Sequence, residues 1–145
     1  MGQRRTILVV DDIPLMRTML VKYVKSLGLT ILREELGVTG IDVLEAAHGE
    51  EALERLAVNH VDLIFLDLMM PGMDGLTFLG VKEEDPEIEA IPVIVCSALG
   101  EKKKVTRAYE LGACAYIMKP FSLKAVEEKF REALVVIQDL DRTNG

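Results

Sequence analysis

The stretch VDLIFLDLMMPGMDG, Val61 to Gly75, decides how this chain is to be read. Its apolar run Leu63-Ile64-Phe65-Leu66 is bounded by residues that break regular structure, Pro71 and Gly72. A run of that length, apolar without alternation, suits a strand buried on both faces. It nevertheless ends on a carboxylate, Asp67. Taking an unpaired carboxylate out of water is costly, so the acid needs a partner or a purpose.

The rest of the chain repeats the pattern. Thr6–Val10 (TILVV) is a β-branched run ending on Asp11-Asp12, and Ile41–Ala46, Asp62–Leu66, Pro92–Cys96 and Ala115–Met118 are further strands. Amphipathic stretches lie between them. The first has Pro14 at its opening turn, apolar residues from Met16 to Leu27 at three- and four-residue spacing, and Gly28 as its stop. Helices follow Gly49, run from Gly75 to about Glu84 with Asp74 as cap, from about Glu101 to Leu111, and from about Leu123 towards Leu140. Five doubly buried strands alternating with helices predict an α/β domain, a doubly wound parallel sheet with helices on both faces.

Residues 1–145 are thus expected to form one domain with a core of about 6–140, followed by a frayed tail, 141–145. One connection is too long for a helix-to-strand loop of about 2–6 residues. This is an insertion at about 29–40, LTILREELGVTG. Leu29, Ile31, Leu32 and Leu36 anchor it, so an ordered surface excursion is expected, either an extra helical turn or a prolongation of the first helix.

Composition narrows the function classes. The chain has 145 residues with 24 acids against 17 bases, a net charge of −7, which argues against a protein that coats nucleic acid. Its apolar runs are too short for a membrane span or a signal peptide, so a cytoplasmic protein is expected. Cys96 and Cys114 sit in apolar surroundings and read as small buried hydrophobes of a reducing compartment.

In open parallel sheets ligands bind beyond the carboxyl ends of the strands. The residues at those ends are Asp11-Asp12, Asp67, Ser97 and Lys119-Pro120. An acid pair alone would serve as a helix cap, but capping does not require acids, a hydroxyl and an amine after four different strands. Clustered carboxylates repel one another unless a cation joins them, and hard oxygen ligands suit Mg²⁺. A hydroxyl and an ammonium can then serve a phosphoryl group. The set points to phosphoryl transfer onto or through Asp67.

These residues carry a resemblance. Asp11-Asp12, DLMMPGMDG from Asp67 to Gly75, Ser97 within CSA, and AYIMKPF from Ala115 to Phe121 resemble the receiver domain of two-component response regulators, across nearly the whole chain. The resemblance implies a flavodoxin-like sheet of order 2-1-3-4-5, with Asp67 as phosphoacceptor from a histidine kinase or histidine phosphotransfer protein. It implies Mg²⁺ (or Mn²⁺) on Asp12, Asp67 and the Met69 backbone carbonyl, with Asp11 acting through water. Ser97 and Lys119 would contact the phosphoryl oxygens, Tyr116 would be the switch aromatic, and the Lys119-Pro120 peptide would be cis. A downstream effector would dock on the face of helix four, strand five and helix five, with no nucleic acid or membrane bound and the chain a monomer or weak dimer.

The long connection departs from the family, and a stand-alone receiver is expected because the chain ends one helix after Lys119. Two other readings compete: an aspartate-nucleophile phosphatase or phosphotransferase, and a phosphorylation-independent scaffold. The former wants a second acid where Met69 stands, and the latter needs none of the five polar residues. Lys102-Lys103-Lys104 with Arg107 reads first as a solvated face and second as a dock for an acidic partner. Met69 and Leu99, each two positions beyond a site residue, are apolar and are expected to shield a phosphoryl group and lengthen its life.

Overall fold

The computed structural model describes residues 3–98 and 102–144. The elements run β1 (Arg4–Val10), α1 (Pro14–Leu36), β2 (Gly40–Ala46), α2 (Gly49–Val58), β3 (Leu63–Asp67), α3 (Gly75–Glu83), β4 (Val93–Ala98), α4 (Lys102–Glu110), β5 (Ala115–Lys119) and α5 (Leu123–Asn144). The five strands are parallel, in the order β2-β1-β3-β4-β5. This is the flavodoxin-like order.

The continuous apolar runs have a simple cause. Successive residues of a strand face opposite sides, and here both sides are covered. Ile7 and Val9 of β1, Leu63 and Phe65 of β3 and Ile94 and Cys96 of β4 join the core under α1 and α5. Leu8 and Val10, Ile64 and Leu66, and Val93 and Val95 join the opposite core, with Ala52 of α2, Phe78 of α3 and Ala108 of α4. Residues 7–10, 63–67 and 93–97 of the three central strands are buried on both faces.

Two expectations are corrected. Gly28 does not stop the first helix; α1 continues to Leu36. Gly28 is buried, and a Cβ there would lie 3.0 Å from Ile41 Cδ1 and 3.3 Å from Phe130 Cζ. The glycine lets α1 press against β2 and α5, and that packing offsets the roughly 1 kcal/mol by which Gly disfavours a helix interior. The stop is Gly37, whose φ of 67° is left-handed. Its N–H donates to Arg33 O, while Val38 N–H donates to Leu32 O, a helix-ending pair of bonds. The insertion is therefore mostly helix, and Ile31, Leu32 and Val38 join the core shared with α5.

Residues 141–144 are not frayed either. α5 extends to Asn144, and Asp141 receives a charged hydrogen bond from Arg5. Asp62 takes the other arm of the same guanidinium at 3.0 Å and accepts from Thr6 N–H at 2.9 Å. Elsewhere the predicted boundaries move by one or two residues. β4 reaches Ala98 and so includes Ser97, and β3 includes Asp67. Among the described residues, no helix is long and apolar enough to cross a membrane.

Candidate functional site

The site lies where β1 and β3 adjoin, the point at which the winding of the sheet reverses. Asp11 and Asp12 follow β1, and Asp67 ends β3. Each of the three offers a carboxylate oxygen within 4.8 Å of the others, the one such group found among the described residues. Asp11 and Asp67 are buried, at 1% and 3% exposure, and Asp12 is half-buried.

The acids are not helix caps. α1 is capped by Ile13, whose side chain makes no capping bond. Asp11 instead accepts from Ile13 N–H at 2.9 Å with one oxygen and from Lys119 Nζ at 2.8 Å with the other. Lys119 Nζ is also 3.3 Å from Asp67 Oδ2, and Met69 N–H donates to Asp67 Oδ1 at 3.1 Å. One ammonium thus serves two buried acids. Asp12 Oδ1 is buried without a hydrogen-bond partner.

Electrostatics reflect the excess of acid. Burial pushes the Asp67 carboxyl up to about 6; Lys119 opposes this and the charge of Asp11 adds to it. Burial also weighs against the Lys119 ammonium, but Asp11 and Asp67 outweigh it and raise its pKa. Ser97 is fully buried in β4, and its Oγ is a second orphaned polar atom. A buried hydroxyl without a partner is unusual enough to require a reason. Cys96, beside it in the chain, has its thiol pushed up to about 12 by burial and is inert.

Local structure holds these groups. Leu68 N–H donates to Cys96 O, and Gly75 N–H donates to Leu68 O at 3.0 Å. A Cβ at Gly75 would sit 2.6 Å from Leu68 Cα and 2.7 Å from Asp67 O, so only glycine lets α3 start this close to the acid. Gly72, at φ 72°, makes the intervening turn, and Asp74 caps α3 by accepting from Thr77 N–H at 2.8 Å. The Lys119-Pro120 peptide is cis.

The fold thus gathers Asp11, Asp12, Asp67, Ser97 and Lys119 at one edge. Tyr116 is half-buried in β5 against the core of α2, α3 and α4. Met69 is 47% exposed, and Lys104 Nζ lies 2.9 Å from its Sδ. Leu99 falls outside the described residues. Sequence reasoning missed Arg17, which donates to Asp11 O at 2.7 Å and pairs with Glu45, and it did not place Lys104, read as part of a solvated or partner-docking run, against Met69. Neither carried a signal, since both reach the site only through the placement of their helices.

The response regulator receiver domain model matches residues 7–131. Among curated proteins, the chain is 39% identical over 143 residues to the "Probable transcriptional regulator ycf27" of Porphyridium aerugineum, covering 99% of this chain and 53% of that protein. The protein of the same description from Cyanophora paradoxa is 41% identical over 104 residues, covering 72% and 42%. The chain spans about half the length of these relatives. Among solved structures, a putative response regulator from Chloroflexus aurantiacus superposes with a TM-score of 0.78 at 27% identity, covering 92% of this chain and 99% of that one. A response regulator receiver protein from Pseudomonas putida gives 0.75 at 26%, covering 91% and 99%.

Proposed function

This chain belongs to the response regulator receiver family, and we propose that it is switched by transfer of a phosphoryl group from a histidine kinase or histidine phosphotransfer protein to Asp67. The observation that carries the reading is the pairing of an under-neutralised acid cluster with two orphaned buried atoms, Asp12 Oδ1 and Ser97 Oγ. The acids call for a cation, and the hydroxyl is a donor without an acceptor.

A carboxylate oxygen of Asp67 attacks phosphorus; the O–P bond forms as the P–N bond of phosphohistidine breaks, and the imidazole leaves with the electron pair. Ser97 Oγ–H donates to one phosphoryl oxygen, and Lys119 turns its ammonium from the acids to another. Tyr116 follows Ser97 inward and alters the surface of α4, β5 and α5. That surface carries exposed Tyr109, Met118 and Val135, where an effector protein is read to dock.

The donor set fits Mg²⁺ or Mn²⁺: oxygen-only, acidic, and with an unpartnered carboxylate oxygen. Asp12, Asp67 and the Met69 carbonyl would hold the ion, with Asp11 acting through water. It would supply positive charge against the carboxylates and the transferring phosphoryl oxygens. The chain's own catalysis is confined to this self-phosphorylation and a slow hydrolysis. Met69 shields the aspartyl phosphate from water, and Met69→Asn combined with Leu99→Glu is expected to shorten its lifetime about threefold or more.

Incubation with Mg²⁺ and acetyl phosphate tests the reading by intact mass. One phosphoryl gain is expected in the wild type and none in Asp67→Asn. No gain in either protein would favour a phosphorylation-independent scaffold. Rapid release of phosphate over many turnovers would favour a phosphatase.

A further inference from the structure

Met69 is one of two methionines that are large exposed hydrophobics among the described residues, the other being Met118. It is tied to the phosphoacceptor, because its N–H donates to Asp67 Oδ1 at 3.1 Å. Its thioether is the acceptor for Lys104 Nζ at 2.9 Å, across from α4. A thioether sulfur is a weak acceptor, and an ammonium is a strong donor. The contact sets an ammonium against a soft, nearly apolar atom.

One oxygen atom changes the acceptor that Lys104 meets. A hydroperoxide oxidises the thioether by two electrons: an S–O bond forms, the O–O bond breaks, and the remaining oxygen leaves as water or an alcohol. The product, a sulfoxide, is polar and chiral where the thioether was apolar. Its oxygen is a strong acceptor for the ammonium that already faces it.

We propose that Met69 is an oxidation site whose sulfoxide is captured by Lys104 and shortens the life of the phosphoryl group on Asp67. The proposal rests on Asp67 being the phosphoacceptor. Oxidation replaces an apolar shield two residues beyond that acid with a hydrated dipole, and Lys104 keeps the dipole at the mouth of the site. The phosphorylated state thereby becomes shorter-lived under peroxide, with Asp67, Ser97 and Lys119 unaltered.

The test uses the full chain carrying Met118→Leu, so that Met69 is the large exposed methionine left among the described residues. Peptide mass spectrometry first confirms oxygen addition at Met69 after hydrogen peroxide. The protein is then loaded with Mg²⁺ and acetyl phosphate, freed of donor, and followed by intact mass. At least threefold faster loss of the phosphoryl group is expected after oxidation, with recovery on treatment with methionine sulfoxide reductase. The acceleration should vanish in Met69→Leu and fall by more than half in Lys104→Ala. An unchanged lifetime with Met69 fully oxidised overturns the proposal, as does equal acceleration in Met69→Leu. Undiminished acceleration in Lys104→Ala overturns the part given to Lys104. Absence of any adduct before peroxide is added would be a failure of the phosphoacceptor reading, distinguishable from the others because it precedes oxidation.

Discussion

The two ends of β1 each bury a cation between two carboxylates, and they use it oppositely. At the amino end, Arg5 spans Asp62 and Asp141, and Asp62 also takes the Thr6 N–H. Burial weighs against the guanidinium, yet Asp141 and Asp62 outweigh it and raise its pKa. At the carboxyl end, Lys119 spans Asp11 and Asp67 while Asp12 adds a third acid. There burial prevails, and the Asp67 carboxyl is pushed up to about 6. At the amino end the two guanidinium arms are each taken by a carboxylate, although Arg5 Nε is left without a partner, and this lower cluster serves as a clasp between β1, the residue before β3, and α5. The upper one, at the carboxyl end, is under-neutralised: three acids share one ammonium, and burial holds the Asp67 carboxyl up.

If that contrast is right, breaking the clasp has the largest effect on stability. Arg5→Met leaves Asp62 buried beside an apolar side chain and is expected to lower unfolding free energy by about 3 kcal/mol, because half of a buried ion pair is worse than none. Urea denaturation measures it, and phosphorylation by acetyl phosphate should persist in the folded variant. A loss below about 1 kcal/mol would mean that the clasp is no tighter than a surface pair.

The upper cluster should respond with the opposite sign. Asp67→Asn, in chelator, is expected to stabilise the protein by about 2 kcal/mol at neutral pH, by removing a buried charge whose ionised form the fold disfavours. Adding Mg²⁺ should raise the melting temperature of the wild type and have much less effect on the variant. Destabilisation by Asp67→Asn would place Asp67 with Asp62, as a structural acid.

The pH dependence follows from the same group. The folded Asp67 carboxyl titrates at about 6, against roughly 4 for a carboxylate in an unfolded chain. Between these values the folded state binds the proton more tightly, so stability falls as pH rises through the window. The penalty is complete above about 6 and absent below about 4. Thermal melts in chelator should show that slope in the wild type, and it should be flatter by up to about 2 kcal/mol in Asp67→Asn.

The smallest effect belongs to His60. It approaches Asp62 to 3.4 Å, but its side chain is 89% exposed. His60→Gln should change stability by less than about 0.5 kcal/mol at any pH from 6 to 8. A larger change would make the histidine a member of the clasp.

Much of the upper site was legible because buried parallel strands read as apolar runs, and an acid that ends one stands out. Asp11, Asp12, Asp67, Ser97 and Lys119 could all be placed by that logic, and the structure brings them to one edge. The lower clasp was not legible. Arg5 and Asp141 lie 136 positions apart, and nothing local marks an arginine in an opening strand or an aspartate in a closing helix. Lys82 was equally silent: it is 1% exposed and donates to Glu89 O at 2.7 Å, with burial lowering its pKa.

The sequence by itself determined the alternation of strands and helices, the double burial of the sheet and the five polar residues at its carboxyl edge. These follow from periodicity and from where apolar runs stop, which are local properties. Only the tertiary structure decided between an extra turn and a prolonged first helix, carrying α1 through Gly28 to Leu36, and only it decided that α5 is held at Asp141 and that one lysine is shared between two acids. Each of those depends on which distant surface a residue meets. A glycine that should end a helix continues it when a close neighbour needs the missing Cβ, and a buried charge shifts up or down in pKa according to the partners the fold brings to it.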